Sequence, residues 1–80
     1  MLNRFVVRPS SVGWYVEGPG LDARLEFASG AQAEAAGRQL ARQRAETGVS
    51  SEVLILLRDE SVAGVFHFCG RMSQTAGAHA

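Results

Sequence analysis

Only one stretch of this chain carries the periodicity of a helix, and the segments around it are written as strands. Between Gly30 and Glu46, Ala33, Ala36, Gly37 and Leu40 fall on one face at about 100° per residue, with Glu34, Arg38, Arg42 and Glu46 on the other. Ser29 stands where an N-cap is needed, Gln32 follows three residues later in the capping-box pattern, and Gly48 is suited to the C′ position. Glu34 and Arg38 form an i,i+4 pair in the favourable order. Arg44 lies on the apolar side near the end, where its stem covers the core edge while its guanidinium reaches water. A helix that offers Ala, Ala, Gly and Leu has to sit close to its neighbour, which must supply the bulk. Gly37 alone costs about 1 kcal/mol relative to alanine in a helix, and a close approach is what offsets it.

The strands supply that bulk. Arg4-Phe5-Val6-Val7-Arg8 is β-rich and ends at Pro9, after which Ser10, Ser11 and Gly13 give a turn. Trp14-Tyr15-Val16-Glu17 is a second strand, Gly18-Pro19-Gly20 breaks the chain, and Arg24-Leu25-Glu26-Phe27 alternates polar and apolar. Phe5, Val7, Trp14, Val16, Leu25 and Phe27 are spaced by two within their segments and make one apolar face. Beyond Gly48, Val53 to Leu57 and Val62 to Phe68 flank the polar turn Arg58-Asp59-Glu60-Ser61 and read as a second hairpin. The order is β-β-β-α-β-β, which predicts an α+β fold: an antiparallel β-sheet with one amphipathic helix packed on one face. Eighty residues make a single domain, placed here at 1–70, with 71–80 expected to be a flexible tail.

Phe5-Val6-Val7-Arg8-Pro9, Gly13-Trp14-Tyr15-Val16, and Phe27-Ala28-Ser29 leading into an Ala-rich helix carry a resemblance. Over residues 4–68 the chain resembles a family of small bacterial proteins known as domain of unknown function 2188. Arg58-Asp59-Glu60-Ser61 and its apolar flanks depart from that family's more polar final hairpin with its glycine-containing turn. The resemblance implies a fold and a bacterial source. It implies no activity and brings no functional residues with it.

Charge and composition narrow the function classes. Eight basic residues, all arginine, balance eight acidic ones, and this argues against a dedicated nucleic-acid binder or a polybasic membrane anchor. No apolar run approaches the roughly 18 residues of a membrane span, and Met1-Leu2-Asn3-Arg4 lacks the apolar stretch of a secretory signal, so a cytoplasmic location is expected. A single cysteine, Cys69, rules out an intrachain disulfide. At this length the core is thin, and association is the natural way to bury more surface.

Few residues invite chemistry. His67 and Cys69 are two apart and share a strand face, but zinc needs further ligands and catalysis an orienting group; the only other histidine, His79, lies in the expected tail. The pair is read as structural. Ser10 and Ser11 lack a Gly-x-Ser-x-Gly elbow, and Gly18-Pro19-Gly20 is followed by neither Gly-Lys-Ser/Thr nor a helix. Arg44 points away from Arg38 and Arg42, which Glu34 and Glu46 flank, so the arginines read as a solvated helix face rather than a phosphate-binding group. No catalytic, cofactor-binding or metal-ligating set is therefore assigned, and no cofactor is expected.

The informative stretch is Val53 to Leu57, where every residue is apolar although one helix covers one sheet face. Phe66 and Phe68 add aromatic surface, and Tyr15 must face away from Trp14. The expectation is a non-enzymatic homodimer that buries the second face through Leu54, Leu56, Phe66, Phe68 and Tyr15. Burying about 400 Å² of apolar surface per subunit would contribute roughly 10 kcal/mol from each subunit before the entropic cost of association. The alternative is a nucleic-acid-binding module that uses the open sheet, Tyr15 and the helix arginines; an unidentified protein partner bound along an exposed strand edge is compatible with the dimer and is not separated from it by the sequence.

Overall fold

Three hairpin-linked strands begin the sheet in the computed structural model, which describes residues 2–70; the expected tail, 71–80, lies outside the described residues. They are β1 (Asn3–Pro9), β2 (Trp14–Glu17) and β3 (Leu25–Phe27), followed by the helix α1 (Gly30–Glu46) and the hairpin of β4 (Ser51–Leu56) and β5 (Val62–Phe68). The order is the one read from the sequence, and the fold is α+β with the helix on one face of a five-stranded sheet.

The sheet is mixed, which corrects the expectation of an antiparallel one. Its strand order is β3-β2-β1-β4-β5; β1–β2, β2–β3 and β4–β5 are antiparallel, whereas β1 and β4 are parallel. The reason lies in the connection. A helix that follows β3 returns the chain to the end where β3 began, so β4 must run in the direction of β3. After two hairpin reversals β3 already runs with β1, and β4 takes the free edge of β1 in the same sense.

The helix ends are built as the sequence implies. The Ser29 hydroxyl accepts from the Gln32 N–H at 3.2 Å. At the other end Gly48 has φ +99°, its N–H reaches the Ala45 carbonyl and the Val49 N–H reaches that of Arg44, the double bond of a Schellman cap. Between them Ala33, Gly37, Ala41 and Ala45 are buried against Phe5, Val7, Val16 and Val53. The stripe thus runs on through Ala41 and Ala45, while Ala36 and Leu40 flank it half-buried. Trp14, Phe27 and Ile55 close the margin of this core. Arg44 lays its guanidinium over the Phe5 ring and donates to the Pro19 carbonyl at 3.1 Å, which ties the β2–β3 connection to the helix.

Candidate functional site

The side of the sheet without a helix follows from the register. Three cross-strand rows face it. The first runs Arg4, Glu52, His67; the second Glu17, Val6, Leu54, Val65; the third Glu26, Tyr15, Arg8, then Leu56 beside Val62. Val6, Leu54 and Val65 of the middle row, with their neighbours Leu56 and Val62, form an apolar stripe; Glu17 ends the row at β2, and charged residues stand at both margins. Val65 and Val62 are 44% and 54% exposed, so the stripe is open toward β5.

The five residues expected to form one surface are separated by this register. Tyr15, Leu54 and Leu56 lie on the open side. Phe66 pairs with Val53 and Phe68 with Ser51, so both aromatics face the helix, where they pack against the core. Arg38 lies 5.0 Å from the Phe66 ring centre and Arg42 5.8 Å from that of Phe68. The alternating sets of β5 are Phe66 with Phe68 and Val65 with His67, and the pairing with β4 turns the aromatic set inward. Leu57 has left the strand for the turn and is exposed. Leu56 is buried and Leu54 half-buried, which makes Leu54 the accessible centre of the stripe.

Ion pairs within the chain occupy the charged margins. Glu52 is 5% exposed, accepts from Arg4 and lies 3.5 Å from His67 Nδ1. At the other end Arg8 contacts Glu60 at 2.9 Å and Glu17 at 3.3 Å, and the Glu60 carboxylate raises the Arg8 pKa above its ordinary value. Arg24 stands 4.4 Å from the centre of the Tyr15 ring and 3.8 Å from Glu26. A cleft of about 160 Å³ opens here between Arg8, Tyr15, Arg58 and Glu60. Arg58 donates to the Ser10 carbonyl at 3.2 Å, joining the two hairpin turns. In the second turn the Ser61 hydroxyl and N–H both reach the Asp59 carboxylate and hold its pKa below the usual value.

Glu52 is the residue that sequence reasoning missed. It falls just before the run read as a strand, and only its position opposite both Arg4 and His67 reveals it. With it, His67 gains the carboxylate neighbour that the sequence did not offer. The arrangement still lacks a reaction chamber: the His67 side chain is 69% exposed and Cys69 is exposed beyond the strand end. Among the described residues no group of three His, Cys, Asp or Glu side chains is placed to hold a metal ion, and no helix is long and apolar enough to cross a membrane. Comparison with family models, curated proteins and solved structures returns no match.

Proposed function

We propose that this chain is a non-enzymatic, homodimeric protein-interaction domain of the bacterial cytoplasm, and that two copies meet across the open sheet face. The observation that carries the reading is the uncovered row Val6, Leu54, Val65, set between charged margins whose arginines are already paired within the chain. Such a face gains from apolar contact and calls for no oppositely charged partner. A second copy, neutral like the first, meets that requirement. Five strands of three to seven residues, at about 4.8 Å between strands and about 3.3 Å per residue, make a face of roughly 400 Å². An interface of that size belongs to the small end of specific association, where monomer and dimer exchange readily.

The nucleic-acid alternative needs Tyr15 and the helix arginines on one surface. Tyr15 faces the open side with Arg24 over its ring, whereas Arg38 and Arg42 stand over Phe66 and Phe68 on the helix side. The dimer reading is therefore preferred. Light scattering at micromolar concentration is expected to give twice the 8.5 kDa of the chain. Leu54→Lys is expected to give a monomer with an unchanged far-ultraviolet dichroism spectrum, because Leu54 is only half-buried. A wild-type chain that stays monomeric throughout that range would overturn the reading.

A further inference from the structure

The two edges of the sheet differ in kind. β3 has three residues and carries Glu26, with Arg24 just before it, the short charged form that discourages pairing. β5 has seven residues, Val62-Ala63-Gly64-Val65-Phe66-His67-Phe68, without proline, arginine or a carboxylate. Its inner side is hydrogen-bonded to β4, and no strand lies on its outer side among the described residues. The irregularity in its pairing falls at Ile55/Leu56, next to the turn, so Val65 to Phe68 is regular strand. A long, neutral, regular edge is a template for an additional strand.

What stands beside this edge selects the strand that fits. On the helix side Arg38 and Arg42 lie over Phe66 and Phe68. Glu34 lies 3.8 Å from Arg38, while Arg42 has no acidic partner among the described residues. On the open side Val65 and His67 are exposed, and the neighbouring Glu52 is engaged by Arg4. The acidic turn residues Asp59 and Glu60 are at the opposite end of the strand, held by Ser61 and Arg8. A second copy of β5 would pair antiparallel about an axis normal to the sheet. Both helices would then lie on one side, with Arg38 and Arg42 of each copy along the same junction, and like charges oppose that.

The geometry points to a different occupant: an extended segment of another protein that adds as a sixth strand, with carboxylates toward Arg38 and Arg42 and apolar residues continuing the Val65 row. This goes beyond the dimer reading and uses an edge that face-to-face association leaves free.

The test uses the whole chain and a short, end-capped peptide of alternating valine and glutamate with a fluorescent label. The peptide is expected to bind and to slow amide exchange in β5, and lysine in place of glutamate to weaken binding by about tenfold or more. N-methylation of alternate peptide amides is expected to abolish binding in one of its two registers, since it removes the donors that face β5. Arg42→Glu, an exposed helix position, is expected to reverse the preference toward the lysine peptide. Absence of binding, equal binding of the two peptides, or indifference to N-methylation in both registers would overturn the inference. Light scattering keeps the two proposals apart: Leu54→Lys is expected to lose the dimer and retain peptide binding, and the peptide is expected to leave the dimer intact.

Discussion

At Gly37 a hydrogen atom decides how near the helix can come to the sheet. A Cβ built there would stand 3.2 Å from Val53 Cγ1 and 3.2 Å from Val7 Cγ2, both in the buried core. Gly37→Leu is therefore expected to destabilise the fold by about 1–3 kcal/mol through overpacking. Gly37→Ala is expected to be nearly neutral, since a helix-propensity gain of about 1 kcal/mol works against the tight contact. Urea denaturation checks both, and an unchanged midpoint for the leucine variant would remove the argument. This position was legible because helix periodicity is local: Ala33 and Gly37 fall on one face whatever the rest of the chain does. Glu52 was not, because its neighbours Arg4 and His67 belong to two other strands and meet it only through register.

The hairpin of β4 and β5 shows the same divide at the level of elements. Its strands and polar turn are plain in the sequence, since two apolar runs flank Arg58-Asp59-Glu60-Ser61. The direction of β4 and the inward set of β5 are not. The first depends on where the helix delivers the chain, and the second on the register with β4, which turns Phe66 and Phe68 toward the helix and leaves Val65 and His67 on the open side. The turn itself holds a strained residue: Glu60 has φ +71°, a conformation that costs a residue with a side chain roughly 1–2 kcal/mol. Its carboxylate is held by Arg8, but the pair stands in water, which screens it. Glu60→Gly is accordingly expected to stabilise the domain by about 1 kcal/mol or less, read as a higher melting temperature. A fall in melting temperature would mean that the tie to Arg8 outweighs the backbone strain.

For the whole molecule, the sheet is held from its middle outward. Among the described residues β2, β1 and β4 each have a hydrogen-bonded neighbour on both sides and the helix above, but the outer neighbour of β2, β3, is three residues long. Native-state hydrogen exchange is expected to be slowest in β1 and β4 around Val7 and Val53 and fastest at β3. Protection of β3 equal to that of β1 would contradict this ranking. The central pair also sets a schedule. Arg4 lies opposite Glu52, so β1 meets its second neighbour only after most of the domain has been made. At a synthesis rate of about 5–20 residues per second, that leaves the edge of β1 bare for on the order of seconds. The strand that ends up most enclosed is thus the one that waits longest on the ribosome, and its edge is open to a wrong neighbour in the nascent chain and closed in the finished one.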